Sequence, residues 1–278
     1  MIDLKKIATE QRNPASSGID KKSALEIVRI INDEDKKVAL AVEKILPDIA
    51  RAVDLIADHL RQGGRLFYMG SGTSGRLGIL DAVECPPTYS TEPERIVGLI
   101  AGGYEAIFRA KEGAEDSPEG GAEDVRAHHL GPRDVLVGIT ASGRTPYVRG
   151  GMEEAKKLGS TVIGLACTQQ PAIAENADLM LIVLPGPEIV TGSTRMKAGT
   201  ATKMILNMLT TGAMIRLGKV RGNLMIDVKA TNEKLQERAV QIVMTVTGMA
   251  RQEAEAALRE SHGSARAAVE TWEKEHDK

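Results

Sequence analysis

Aromatic side chains are scarce in this chain: one Trp, four Tyr and two Phe in 278 residues. So few rings leave no platform for stacking nucleic-acid bases. The charge balance argues the same way, with 36 Lys and Arg against 38 Asp and Glu for a formal net charge of −2. Neither a nucleic-acid groove nor an anionic membrane surface is expected as a partner. Long apolar runs are missing too. No stretch reaches the roughly 20 apolar residues of a membrane span, and the opening MIDLKKIATE has no apolar core of a secretory leader. A soluble, cytoplasmic protein is expected. Cysteine is limited to Cys85 and Cys167, which have no metal-like spacing and are expected as reduced thiols. The five histidines form no metal-ligand spacing with acids, and no G-x-S-x-G elbow is present. Metal chemistry and nucleophilic catalysis therefore find no support, and no cofactor is expected.

What is present is an alternation of short apolar runs and helical patterns. RLFYM, RIVGLI, DVLVGIT, TVIGLAC and LMLIVLP read as buried strands, which predicts an α/β fold with a mainly parallel five-stranded sheet. Three helices are expected ahead of the first strand, in SALEIVRIIN, KKVALAVEKIL and PDIARAVDLIADHL. A long, nearly uncharged helix from Arg195 to Leu217 follows the last strand and has the composition of a buried element, in the core or between subunits. From Thr231 onward only helix signals remain, so the chain divides into residues 1–230, carrying the site, and a small helical module at 231–278. EGAEDSPEGGAED reads as a short acidic functional loop.

Two glycine loops carry hydroxyls where strands should run into helices, GSGTSGR at 70–76 and TASGRT at 140–145. Glycines let the backbone approach an anion, and first-turn N–H groups with the helix dipole favour negative charge. Ser71, Gly72, Thr73 and Ser74 in the first loop, and Thr140, Ser142, Gly143 and Thr145 in the second, are the candidate phosphate-binding residues. Gly70, Gly72 and Gly75 also spell the G-x-G-x-x-G of dinucleotide folds, but the second strand ends in Ala101, Gly102 and Gly103, where such folds place a carboxylate for the ribose. A compact sugar phosphate fits the loops better than NAD.

Carboxylates dominate the titratable groups near the strand ends. Glu84 follows Ser74 by ten positions, on a helix that Pro86 and Pro87 should stop. Glu115 lies in AKEGAEDSPEGG with Glu112, Asp116 and Glu119 as neighbours. From position alone each is as readily a solvated surface acid as a catalyst. The chemistry left open is metal-free acid/base work on a sugar phosphate.

GSGTSGRLGILDAVECPPTYS, IAGGYEAIFRAKEGAEDS, the ASGRTPYV loop and the opening TEQRNP together resemble the N-acetylmuramic acid 6-phosphate etherases, from about Thr9 to the helical C-terminus. The resemblance implies a three-layer α/β/α sugar-isomerase (SIS) domain. It implies cleavage of a D-lactyl ether by elimination and water addition, giving N-acetylglucosamine 6-phosphate and D-lactate, in cell-wall amino-sugar recycling. On that pattern Glu84 is the proton donor and Glu115 the second acid/base, and the two loops hold the phosphate. A homodimer with the site near the subunit interface is implied by the fold. Two alternatives use the same loops: an aldose-ketose isomerase, which needs no acid aimed at C3, and a non-catalytic sugar-phosphate sensor, which needs neither glutamate.

Overall fold

The computed structural model describes residues 11–276, so Thr9 and Glu10 of TEQRNP lie outside the described residues. The chain opens with α1 (Ala24–Glu43) and α2 (Leu46–Arg61). Then β1 (Leu66–Gly70), α3 (Gly72–Tyr89), β2 (Ile96–Ile100) and the single turn α4 (Glu105–Phe108) follow. The middle of the chain contains α5 (Pro118–Ala127), β3 (Val135–Thr140), α6 (Pro146–Lys157), β4 (Thr161–Ala166) and β5 (Leu179–Ile182). After these come α7 (Lys197–Arg216), α8 (Glu233–Thr247), α9 (Arg251–Glu260) and α10 (Ala265–His276).

All five expected strands form, and every pairing is parallel in the order β2-β1-β3-β4-β5. Alternate residues of each strand face opposite layers. Leu66, Tyr68, Val135, Val137 and Ile139 pack on the α1, α2, α3 and α7 side, while Phe67, Met69, Leu136 and Val162 pack on the α5 and α6 side. The sheet is thus covered on both faces, which is why its strands read as unbroken apolar runs. A third cluster, with Ile226, Val228, Val243, Leu258 and Val269, forms the core of the C-terminal helices and already includes residues ahead of Thr231. Among the described residues no helix is long and apolar enough to cross a membrane.

Three local expectations are corrected. The first two expected helices are one: α1 runs unbroken through Asp33, Glu34 and Asp35. That stretch contains no Gly or Pro, and the acid in its middle, Glu34, is buried against Lys197. Pro86 and Pro87 do not stop α3, which continues to Tyr89 and ends at Ser90 with φ +49°. Each proline removes one N–H from the helical ladder, a loss confined to the last turns. Burial of Cys85 and Tyr89, and donation from the Lys229 N–H to the Pro87 carbonyl at 3.3 Å, hold the segment in place. Finally, the second half of EGAEDSPEGGAED is α5, not loop. Ser117 caps it by accepting from the Gly120 N–H at 3.0 Å, and its glycines serve helix packing: a Cβ on Gly121 would stand 1.9 Å from the Tyr147 carbonyl oxygen of α6.

Candidate active site

The strand order reverses between β1 and β3, whose neighbours lie on opposite sides, and in open parallel sheets ligands bind outside the carboxyl ends of strands at such a point. Both glycine loops leave the sheet there. They open a cavity of about 260 Å³ lined by Ser71, Gly72, Thr73 and Ser74 from the first and by Thr140, Ala141, Ser142 and Thr145 from the second. Thr140 is 2% exposed. Its Oγ1 is 2.7 Å from Thr145 Oγ1 and 3.3 Å from Ser142 Oγ, a fan of hydroxyls able to reorient toward an anion.

Gly143 does not line the cavity. It turns the loop at φ +72°, and a Cβ there would stand 2.5 Å from Pro171 Cβ, so it shapes the cradle from behind.

A third segment enters the cavity that the sequence reading left in the buried helix. Gly192, Thr194, Ala198, Gly199 and Thr202 bring in the N-terminal turn of α7. TGSTRMKAGTAT, like the two loops, mixes glycines with hydroxyls, but the apolar stretch after it reads as core packing. The starts of three helices, α3, α6 and α7, therefore meet at one cavity, and their dipoles favour an anion. Among the described residues no Lys or Arg side chain lines the cavity.

The start of α7 is held by a buried polar network. Glu188, fully buried, accepts from the N–H groups of Lys197 and Ala198 at 2.9 Å each. Lys197 Nζ donates to Glu34 at 2.7 Å and to the Pro187 carbonyl at 3.2 Å. Asn13, from TEQRNP, donates to Glu34 at 3.0 Å and to the same carbonyl at 3.1 Å. Burial pushes the Glu34 carboxyl up, but hydrogen bonds from Lys197, Lys37 and Asn13 outweigh it and hold it at about 2.

Glu115 sits at the rim of the cavity, in the 3₁₀ turn Ala114–Asp116, and accepts a 2.5 Å hydrogen bond from Ser71 Oγ. Glu84 is not brought to it. It lies exposed on α3, ten residues or about 15 Å of helix beyond Ser74. Cys85 and Cys167 are buried, and burial pushes each thiol up to about 12, aided by Asp81 for the first and Glu188 for the second, which leaves both as packing residues. Among the described residues no three His, Cys, Asp or Glu side chains converge as a metal set.

The fold and this hydroxyl-lined cradle define a SIS-domain protein. Family models agree: the glucokinase regulatory protein N-terminal SIS domain matches residues 48–156, the SIS domain 117–212, and the C-terminal lid domain of glucokinase regulatory protein 222–275. A phosphoheptose isomerase from Francisella tularensis shares the fold at a TM-score of 0.52 and 20% identity, over 69% of this chain and 98% of that one. The N-acetylmuramic acid 6-phosphate etherase of Photorhabdus laumondii is 59% identical over 96% of this chain and 89% of the relative. That of Symbiobacterium thermophilum is 58% identical over the same shares. The chain belongs to the N-acetylmuramic acid 6-phosphate etherase family.

Proposed function

We propose that this protein cleaves the D-lactyl ether of N-acetylmuramic acid 6-phosphate, giving N-acetylglucosamine 6-phosphate and D-lactate in amino-sugar recycling. The observation that carries the proposal is Glu115, hydrogen-bonded to Ser71 at the rim of a cradle suited to a phosphate monoester. Relatives named for this activity match across nearly the whole chain.

The phosphate sits among the three helix starts and the hydroxyls of Thr140, Ser142 and Thr145, while Ser71 gives its one proton to Glu115. With the sugar in its open-chain aldehyde form, the C2 proton is acidified by C1. Glu115 takes that proton, the C3–O bond breaks, and its former partner electrons leave with the lactyl oxygen while C2 and C3 become doubly bonded. The departing oxygen takes a proton from Glu84. Water then adds at C3 and a proton returns to C2, so atoms balance without oxidant or reductant.

Glu84 of the same chain lies too far along α3 to reach C3 of a sugar whose phosphate is anchored at Ser74. It stands beside exposed Leu80 and Val83, and α4, packed against α3, adds exposed Tyr104 and Phe108. This apolar face suits a second copy of the chain, and we place the proton donor at the partner's cavity in a homodimer. The test is D-lactate release from N-acetylmuramic acid 6-phosphate in EDTA. Wild type should release it, and folded Glu84→Gln and Glu115→Gln variants should not. Saturable binding without release by wild type would overturn the proposal.

A further inference from the structure

A second cavity, of about 310 Å³, opens on the other side of the Ser71–Glu115 hydrogen bond. It shares Ser71, Gly72 and Glu115 with the first, yet its charge differs, because Arg76 and Lys111 both line it. Arg76 comes from the second turn of α3. Its Nε and Nη2 donate to the carbonyls of Ile107 and Ala106 at 2.9 and 2.8 Å. These bonds fix the plane of the guanidinium and, among the described residues, leave its Nη1 donors uncommitted. Lys111 crosses over Gly102, where an added Cβ would stand 2.9 Å from its Cδ, and its Nζ makes only a long 3.4 Å contact with the Gly102 carbonyl. Among the described residues neither cation forms an ion pair, although the acids Glu112 and Glu115 also line the cavity and the latter is engaged by Ser71.

Two cations held over one pocket without a carboxylate partner favour an anionic group there, and a guanidinium fork beside an ammonium suits a planar carboxylate. The placement matters as much as the charge. A ligand anchored by its phosphate in the first cavity and extended past Glu115 ends in the second. In the reaction proposed above, on which this inference rests, the substrate has two anionic ends, a phosphate and a lactyl carboxylate, and the bond that breaks lies between them.

We infer that the second cavity is the carboxylate pocket, in which Lys111 supplies the main charge and Arg76 the oriented fork, so that substrate is distinguished from its lactate-free product. After cleavage the carboxylate departs with lactate, and the sugar phosphate left behind loses that anchor.

The test compares wild type, Lys111→Met and Lys111→Arg on two ligands. Lys111→Met should lower kcat/KM for D-lactate release from N-acetylmuramic acid 6-phosphate by about 10- to 100-fold, the range for one lost charge-assisted hydrogen bond. The loss should fall mainly on KM. Its Kd for N-acetylglucosamine 6-phosphate, measured calorimetrically, should stay within about twofold of wild type, and Lys111→Arg should recover most of the loss. Unchanged kcat/KM in Lys111→Met would overturn the inference, and so would an equal loss of affinity for both sugar phosphates. If wild type releases no lactate, the proposed reaction fails; the ratio of the two Kd values, wild type against Lys111→Met, then still decides whether Lys111 reads a carboxylate.

Discussion

Ser71 and Glu115 stand 44 positions apart and meet in one hydrogen bond. Each was visible in the sequence, the first as a hydroxyl in a glycine loop and the second as one acid among several, but nothing local separated Glu115 from Glu112, Asp116 or Glu119. The resemblance alone singled out Glu115, and the fold supplies the physical reason by turning Ala114–Asp116 toward Ser71. Thr140 was the more legible residue, because a hydroxyl at the end of a buried strand has few apolar reasons to be there. Thr140→Val keeps the shape and deletes the hydroxyl. It should weaken binding of N-acetylglucosamine 6-phosphate by about 1–3 kcal/mol, read by calorimetry, with the melting temperature nearly unchanged.

Among the elements, α7 repays attention, since its sequence reads as core while its first turn lines the cavity. Its body is buried against α1, α2 and α3, and its start is fixed by Glu188 and by the Lys197–Glu34 pair, with side-chain exposures of 1% and 5%. Removing one partner of such a pair strands a buried charge. Lys197→Met should lower unfolding free energy by about 3–5 kcal/mol in denaturant titrations, and Lys197→Met with Glu34→Leu should recover much of it. The same pair sets an acid limit. Glu34 is held at about 2 in the folded chain against the ordinary Glu value of 4.5. Its contribution to stability is therefore complete above about pH 4.5 and is lost as pH falls toward 2. Chemical denaturation at pH 6, 4 and 3 should show this fall, with a smaller fall in the double variant.

At the scale of the whole molecule, the two proposed glutamates lie on different parts of one chain, and the exposed face of α3 and α4 is where the proposed second copy would sit. That arrangement makes a specific prediction. Mixed and reassociated Glu84→Gln and Glu115→Gln chains should regain activity, because a heterodimer has one site with Glu115 from one chain and Glu84 from the other. Random pairing sets the expected recovery at roughly a quarter of wild type. No recovery, with mixed dimers verified by mass, would place both glutamates at work within one chain and overturn the shared site. The C-terminal helices form their own core and are tied back through Asp227, which receives hydrogen bonds or ion pairs from Lys219 and Arg266, while its carbonyl accepts from Ser90 at 2.7 Å. The far end of α3, near Glu84, is thereby braced by the C-terminal module.

The sequence by itself determined the five strands, the parallel sheet and the two glycine loops, because strand periodicity, glycine turns and helix starts are set by neighbours a few residues apart, and the resemblance of its longer strings pointed to the family. It misread α1, the end of α3 and α5 where tertiary contacts overrode local signals: a buried ion pair, a carbonyl met by the Lys229 N–H, and a helix–helix approach only glycine allows. Only the tertiary structure decided that a third helix start completes the cradle, that Glu115 and not its neighbours meets Ser71, and that Glu84 does not line its own chain's cavity. Those are contacts across 44 or more positions, or distances along a rigid helix, and their energies come from packing that no short stretch of sequence contains.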